Sequence, residues 1–333
     1  MTNKAIVILN YNGVVHLKNY LQNVIDNSSD SADVIVIDNA STDESVPYLK
    51  SNFPNVPLVV LDKNHGFAGG YNYGLKEVNA DYLILLNSDV EVAKNWDLPI
   101  WEKLKDPKAG AVQPKLVDLK DKSLYEYAGA AGGYVDRYYF PFCRGRIFSH
   151  LEKSEKEYPA SDNMFWATGA AFGIRKSVFN EVGGFDEDFF AHMEEIDLCY
   201  RLQNQGFSIC YEPNSIAYHL GGGTLKMMSP FKTYLNYRNG LKLIAKNHYH
   251  SPLFPLMMMR LLLDGLSGVN FLLRGFPKHT IAIAKGHIHF YGQFGKTMRK
   301  RKALKQKWSG KAPKGMYAKS IVADYFIKKM KSV

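Results

Sequence analysis

The sequence predicts an α/β protein with a mainly parallel sheet, and three observations carry that prediction. Four brief runs are apolar and either β-branched or leucine-rich: residues 5–9 (AIVIL), 33–37 (DVIVI), 58–61 (LVVL) and 82–86 (YLILL). Stretches of helical length separate them, which is the alternation of a sheet flanked by helices. Each run is closed within a few residues by Asn, Asp or Gly, the residues that end a strand in a loop. Unbroken apolar character, rather than alternation with polar residues, marks strands covered on both faces, as parallel strands usually are.

The 333 residues are 46% hydrophobic and 13% aromatic, enough for one large core or two smaller ones, which excludes a disordered or fibrous protein. Cys143, Cys199 and Cys210 form no CxxC pair, which argues against a disulfide framework or a zinc module and fits a reducing compartment. The apolar stretch at 5–9 stops at Asn10 and lacks the charged start and long apolar middle of an export signal, so the expected location is cytoplasmic. Charge divides the chain: residues 226–333 hold 22 lysines and arginines against Asp264 and Asp324 alone, whereas residues 1–225 are net acidic. We therefore expect an α/β domain over 1–225 and a basic, mostly helical region over 226–333. Dense positive charge attracts phosphates, and its sign alone does not choose between a membrane surface and a nucleic acid.

In open α/β sheets, ligands sit outside the carboxyl ends of the strands. The residues closing the four runs are Asn10-Tyr11-Asn12, Asp38-Asn39, Asn64-His65-Gly66 and Asn87-Ser88-Asp89. Any one of these is an ordinary turn; four together are more than a structural sheet needs. Asp38 at a strand tip suits a hydrogen bond from a base N–H, while Ser41 to Asp43 suit capping of a helix that starts near Asp43. The glycine-rich segment 64–74 (NHGFAGGYNYG) lets backbone approach a ligand or the preceding strand, but its spacing is not the GxGxxG of dinucleotide enzymes. Asn87 and Asp89, two apart, suit either a turn or a Mg²⁺ or Mn²⁺ ion that takes its other ligands from a diphosphate and water.

Residues 185–201 (FDEDFFAHMEEIDLCYR) hold six carboxylates. A helix from about Met193 puts Glu195, Leu198, Cys199 and Leu202 on one stripe, and Glu194, Asp197 and Arg201 on another. Glu195 then sits above an apolar stripe, where partial desolvation raises the pKa toward that of a general base; a helix-dipole acid is the alternative. Asp197 and Arg201 read as a structural i,i+4 pair. His219 ends a short strand ahead of three glycines, where a neutral imidazole can ligate a metal and the glycines can approach phosphate oxygens.

Residues 253–276 are long enough to cross a bilayer, but Arg260, Asp264, Asn270 and Arg274 interrupt them. A helix lying in the membrane interface suits that pattern better than one crossing it; a helix covering the α/β domain, or a seam between two copies, suits it too. Residues 296–314 add a basic cluster around Trp308, a composition suited to anionic headgroups.

Taken in order, ILNYNG, VIVIDNASTDES, NHGFAGGYNYG, LLNSDVEV, TGAAFGIRKSVFNEVGGFDEDFFAHMEEIDLCYRLQNQG and IAYHLGGGT resemble the family-2 inverting glycosyltransferases of the GT-A fold, specifically their bacterial rhamnosyltransferase-like branch, over about residues 4–225. The resemblance implies a nucleotide-diphospho-sugar donor contacted by Asn10, Tyr11, Asn12, Asp38 and Asn64, with Gly66, Asn87 and Ser88 at the same strand ends. It implies a divalent metal, Mg²⁺ or Mn²⁺, on Asp89 with help from His219, and a donor-sugar and acceptor floor at Thr168, Gly169 and Ala170. It implies a catalytic base at Glu194 or Glu195, where the family has a Glu-Asp pair, with Asp197 in support. The helix-face argument favours Glu195. Asn87 replaces the first acid of a DxD-like motif, so metal binding falls to Asp89. The implied activity is inverting transfer from a dTDP- or UDP-sugar to a cell-surface glycan or lipid-linked acceptor, with no nucleic-acid partner, on the cytoplasmic face of a membrane. A homo-oligomer is compatible with it. A nucleotidyltransferase and a non-catalytic polyanion- or membrane-binding protein are the competing readings.

Overall fold

A computed structural model describes residues 3–221 and 229–332. Gly222, Gly223 and Thr224 of the triple-glycine segment, and the expected boundary at 225, lie outside the described residues. The strands are β1 (Lys4–Asn10), β2 (Asp33–Asp38), β3 (Leu58–Val60), β4 (Tyr82–Asn87), β5 (Val90–Val92), β6 (Ala109–Asp118), β7 (Gly133–Asp136), β8 (Pro141–Cys143), β9 (Arg146–Ile147), β10 (His150–Leu151), β11 (Ser161–Met164), β12 (Ala171–Arg175), β13 (Ser208–His219) and β14 (Met316–Tyr317). The helices are α1 (Val14–Asn27), α2 (Ser45–Asn52), α3 (Gly66–Gly74), α4 (Asp97–Leu104), α5 (Lys176–Glu181), α6 (Glu194–Asn204), α7 (Pro230–Asn247), α8 (Leu253–Leu273), α9 (Pro277–Gly292), α10 (Phe294–Lys305) and α11 (Ile321–Phe326).

The four apolar runs become β1 to β4, parallel and in the order β3-β2-β1-β4. In β1, β2 and β4 the unbroken hydrophobicity has a direct cause: Val7, Ile37 and Leu85 enter the core on one face of the sheet, and Ile8, Val36 and Leu86 enter the core on the other; β3, expected to be buried as well, is the edge strand and leaves Val60 exposed. Beyond β4 the nine-stranded sheet is mixed, because β12 lies antiparallel between β4 and β6 while β13 runs parallel to β6. The glycines of α3 permit close packing on these strands. A Cβ on Gly70 would stand 2.8 Å from a methyl of Leu9, and one on Gly74 would stand 2.5 Å from Ile37. A second sheet of five short strands, β10-β9-β8-β7-β14, has no counterpart in the sequence reading. All three cysteines are free and buried.

The C-terminal helices fold back onto the α/β part. Helix α7 packs on α6, α8, α9 and α10, β14 pairs with β7, and Ser309 N–H donates to the Asn204 carbonyl at 2.7 Å. Basic side chains meet the acidic segment ahead of α6. Lys246 reaches Asp186 at 2.5 Å and Asp197 at 2.8 Å, Lys296 reaches Asp188 at 2.5 Å, and Lys300 reaches Asp186 at 2.6 Å and Asp188 at 2.7 Å. Part of the charge asymmetry is thus internal complementarity. Burial alone would raise the Asp186 carboxyl, but Lys246 and Lys300 hold it well below the usual carboxylate range.

Lys246→Met leaves two buried carboxylates without their shared cation, so urea unfolding should show a loss of about 3–5 kcal/mol. The exposed Lys302→Met should stay within about 0.5 kcal/mol of wild type. Because the Asp186 pKa is depressed, the wild-type advantage should be present above about pH 4 and fade as pH falls further.

Candidate active site

The carboxyl ends of β1 and β2 form one braced rim. Asp38 is fully buried: it accepts from Asn10 Nδ2 at 2.9 Å and from Ser41 N–H at 2.8 Å. Both its oxygens are therefore engaged within the protein, beneath the rim rather than at its lip. Asn10 Oδ1 is buried and has no hydrogen-bond partner among the described residues. Asn12 and Ala40 take left-handed backbone, with φ of 50° and 61°, as residues at strained functional turns do. The Asn12 side chain accepts from the N–H of Thr42 at 2.7 Å and of Asp43 at 3.3 Å. Asp43 in turn accepts from Val14 N–H at 3.1 Å and Ser45 N–H at 3.0 Å, so one carboxylate braces the starts of α1 and α2. Tyr11 is exposed at this rim. Asn64 accepts from Asn39 Nδ2 at 3.0 Å and Gly66 N–H at 2.8 Å, which shapes the turn into α3. Gly66 has φ of 70°, and a Cβ there would stand 3.0 Å from the Phe190 carbonyl oxygen, so the segment ahead of α6 closes directly over this turn.

Next along the rim, β4 ends at Asn87, and Ser88 and Asp89 make the turn into β5. Val90 of β5 pairs with His219 of β13, and this antiparallel register brings Asp89 beside His219. His219 Nε2 lies 3.3 Å from Asp89 Oδ1, and its Nδ1 lies 3.1 Å from Glu126 Oε1. Burial would lower the His219 pKa, but Glu126 and Asp89 outweigh it and push it up to about 10. Burial likewise would raise Asp89, yet His219 holds it below its ordinary value. With a pKa of about 10 the imidazole is protonated at neutral pH and pairs with Asp89; only after giving up that proton would it and the Asp89 carboxylate, with Glu126 behind the imidazole, be groups of the kind a hexacoordinate Mg²⁺ or Mn²⁺ ion takes beside phosphate oxygens and water. No group of three or more potential ligands gathers among the described residues, so the protein's share of such a site is two groups.

The expected floor lies alongside. Thr168 N–H donates to the buried Gln113 Oε1 at 2.9 Å, and Ala170 N–H donates to Thr168 Oγ1 at 3.3 Å. Asn87 N–H donates to the Ala170 carbonyl at 2.9 Å, which ties the floor to the end of β4. A Cβ on Gly169 would stand 3.1 Å from the Phe67 ring, so α3 seats against the same segment.

Helix α6 begins at Glu194, after a backbone in which Phe190, His192 and Met193 all have positive φ, at 66°, 65° and 71°. Three such non-glycine residues store strain that the surroundings must hold. Helix α7 supplies the restraint. The buried Asn239 amide points its Nδ2 at the carbonyls of Phe189 (3.1 Å), Ala191 (3.0 Å) and His192 (2.7 Å), and Arg238 Nη2 reaches Phe189 O at 2.8 Å. Glu194 and Glu195 each keep one buried carboxylate oxygen without a partner among the described residues. Burial raises Glu194 well above its ordinary pKa, and the neighbouring Glu195 adds to this. Glu195 is less enclosed, and burial pushes it up to about 7. Burial raises the nearby Cys143 thiol to about 11, against the lowering pull of Arg146. Asp197 faces away into structure: it accepts from Arg201 Nε at 2.8 Å and Asn247 Nδ2 at 2.7 Å, in addition to its ion pair with Lys246.

Residues 5–183 match the family model described as glycosyl transferase family 2, and the chain belongs to that family. It is similar to the N-acetylglucosaminyl-diphospho-decaprenol L-rhamnosyltransferase of Mycobacterium tuberculosis, with 27% identity over 234 residues that cover 64% of this chain and 75% of that one. It is also similar to the dTDP-rhamnosyl transferase RfbF of Shigella flexneri, with 24% identity over 256 residues covering 73% and 80%. Its fold is shared with the mannosyltransferase PcManGT from Pyrobaculum calidifontis in complex with GDP-Man and Mn²⁺, at TM-score 0.53 and 14% identity over 92% of this chain and 86% of that one. It is shared too with GalNAc-T7 bound to UDP, GalNAc and Mn²⁺, at TM-score 0.58 and 18% identity over 76% of this chain and 49% of that one, so the chain spans about half of that structure. The protein is a rhamnosyltransferase-like glycosyltransferase, and the nucleotidyltransferase and non-catalytic readings give way to it.

The sequence reading passed over Glu126, Gln113, His192, Arg238 and Asn239. Glu126 sits in a segment with no motif, and Asn239 lies on a helix that reads as ordinary amphipathic sequence. Only orphaned polarity marks His192, whose Nε2 is buried without a partner among the described residues and whose pKa burial pushes down to about 4.

Asn239→Leu should loosen the strained loop while α7 keeps its packing. We expect at least a tenfold loss of glycosyl transfer, with nucleotide affinity in a calorimetric titration changed less than about threefold, since the lost hydrogen bonds serve the loop before α6 and not the β1–β2 rim.

Proposed function

We propose that this chain transfers a sugar from a dTDP- or UDP-linked donor to a hydroxyl of a glycan or lipid-linked acceptor, with inversion, by a single displacement. The observation that carries the reading is the convergence of Asp89 and His219, backed by Glu126, at the sheet edge where α/β proteins take ligands. In this reading Asn10, Tyr11, Asn12 and Asn64 line the nucleoside end, with Asp38 setting the Asn10 amide from below. Gly66, Asn87 and Ser88 border the diphosphate, and Thr168, Gly169 and Ala170 form the floor beneath the sugar.

A Mg²⁺ or Mn²⁺ ion, when bound, supplies a Lewis acid for the charge that grows on the departing diphosphate. Asp89 and His219 would hold it. Glu126, by engaging Nδ1, fixes the imidazole so that Nε2 faces Asp89. Glu195 takes the proton of the acceptor hydroxyl as that oxygen forms its bond to sugar C1. The C1–O bond to the diphosphate breaks on the opposite face, and its electron pair leaves with the nucleoside diphosphate. A base with a pKa near 7 is half ionised at neutral pH, the condition for taking up a proton there. In this reading Glu195, less enclosed than the buried Glu194, is the base, and Glu194 is its neighbour. Asp197, held by Arg201, Lys246 and Asn247, positions α6. The printed activity of the mycobacterial relative, transfer to N-acetylglucosaminyl-diphospho-decaprenol, supports a lipid-linked acceptor, and that of the Shigella relative supports a dTDP-linked donor; in this reading the enzyme is cytoplasmic and works at the membrane's inner face.

Thermal-shift titration with UDP or dTDP, with and without Mn²⁺, should show a metal-dependent rise in melting temperature that Asp89→Ala removes. Product analysis should find a nucleoside diphosphate; release of pyrophosphate would overturn the reaction class. Glu195→Gln should lower transfer at least ~100-fold with donor binding kept. Glu194→Gln, at the more enclosed of the two carboxyls, should stay within about tenfold. Since Glu195 must be ionised to act, wild-type activity should fall as pH drops below about 7.

A further inference from the structure

Helix α8 is turned the opposite way from a helix that covers a core. Its 21 residues have a mean hydropathy of 1.5 in the most apolar stretch, and only 22% of that stretch is buried. The face packed on the protein is the charged one. Arg260 and Asp264 are 2% and 0% exposed and pair at 2.8 Å; Arg260 Nη1 also donates to the Tyr138 carbonyl at 3.1 Å, and His287 of α9 lies 3.1 Å from Asp264. Of the four polar residues that interrupt this stretch of sequence, Asn270 and Arg274 are exposed and do not share the buried side of the Arg260–Asp264 pair. Outward go Phe254, Met258, Leu262, Leu266, Val269 and Leu273, spaced three or four apart as one stripe. Beside them α9 presents Ile281 and Ile288, with the exposed Lys285 between.

We infer that this α8–α9 face lies on an anionic lipid surface, with the helices parallel to the membrane plane. Charge selects the occupant. Arg274, Lys278 and Lys285 are exposed on or beside the apolar stripe. The only two acids of the sequence from 226 onward, Asp264 and Asp324, are buried and already paired, Asp264 with Arg260 and Asp324 with Lys328. A second copy meeting this face with its own α8–α9 face, as a two-fold pair does, would set cations against cations with no carboxylate of these helices to offset them. A bilayer with anionic headgroups takes the apolar side chains into the acyl boundary and the cations at the phosphates. Spanning is disfavoured, because α8 would carry the Arg260–Asp264 pair into hydrocarbon and lose its hold on Tyr138 and His287. The basic cluster at 296–314 contributes less than its sequence suggests, since Lys296 and Lys300 are committed to Asp186 and Asp188. The inference rests on the proposed lipid-linked acceptor only for its purpose; the surface itself needs no donor or acceptor.

The test is co-sedimentation of the full chain with vesicles of phosphatidylcholine alone and of phosphatidylcholine with phosphatidylglycerol, read without any sugar nucleotide. Wild type should partition onto the phosphatidylglycerol vesicles and be released by salt. The double variant Leu262→Glu/Leu266→Glu should lose at least about tenfold in partition with its melting temperature unchanged, and Ile288→Glu on the neighbouring helix should weaken it in the same direction should the first variant not fold. Arg274→Glu/Lys278→Glu should erase the preference for the anionic lipid. Wild type that fails to partition, or Leu262→Glu/Leu266→Glu binding as tightly as wild type, overturns the inference. So does a dimer in vesicle-free sedimentation that Leu262→Glu/Leu266→Glu dissociates, for the face would then be a seam between copies. Failure here leaves the Mn²⁺-dependent nucleotide shift intact, and failure of that shift leaves vesicle binding intact, so the two readings fall separately.

Discussion

The clasp between α7 and the segment ahead of α6 is the constraint on which the remaining site geometry depends. That segment bends through three non-glycine residues with positive φ and carries acids that would repel one another if left alone. Backbone hydrogen bonds from Asn239 and Arg238 hold its shape, while Lys246, Lys296 and Lys300 offset its charge. Neither part suffices without the other: hydrogen bonds alone would leave buried carboxylates uncompensated, and ion pairs alone do not dictate backbone angles. With both in place, Phe190 closes over Gly66 and α6 starts with two carboxyls whose free oxygens are enclosed.

The same economy of position governs the sheet edge. Parallel strands β1, β2 and β4 end together, and their polar terminal residues spend most of their hydrogen-bonding capacity on one another. Asn12 and Asp43 brace helix starts, Asn39 and Asn64 lock the turn into α3, and Asp38 orients Asn10. What is left over is informative. Asn10 Oδ1, His192 Nε2 and one oxygen each of Glu194 and Glu195 are buried without partners among the described residues, and such atoms are costly unless a ligand or water meets them.

Much of this was legible in the sequence where local pattern and structure coincide. The runs at β1, β2 and β4 are buried on both faces, as their lack of alternation requires, whereas the run at β3 reads the same but lies at the sheet edge with Val60 exposed; the closing residues lie at the carboxyl ends because of how parallel strands connect. The Asp197–Arg201 pair followed from helical spacing alone. Other features depend on contacts that sequence distance conceals. Glu126 meets His219 only because β13 returns beside β6 and β5, and Asn239 matters only because α7 folds back on a loop some fifty residues earlier. The charge asymmetry was visible but ambiguous. Cations that read as a tail for phosphates turn out in part to answer acids of the same chain, and the apolar helix interrupted by charges buries two of them against the protein.

The order in which the pieces occur along the polypeptide has a consequence for biosynthesis. A nascent chain that has left the ribosome through β13 already possesses Asp89, Glu126, Glu195 and His219, but neither Asn239 nor the β14 strand that completes the smaller sheet. Competence therefore arrives abruptly and late, once the last third has emerged and folded backward.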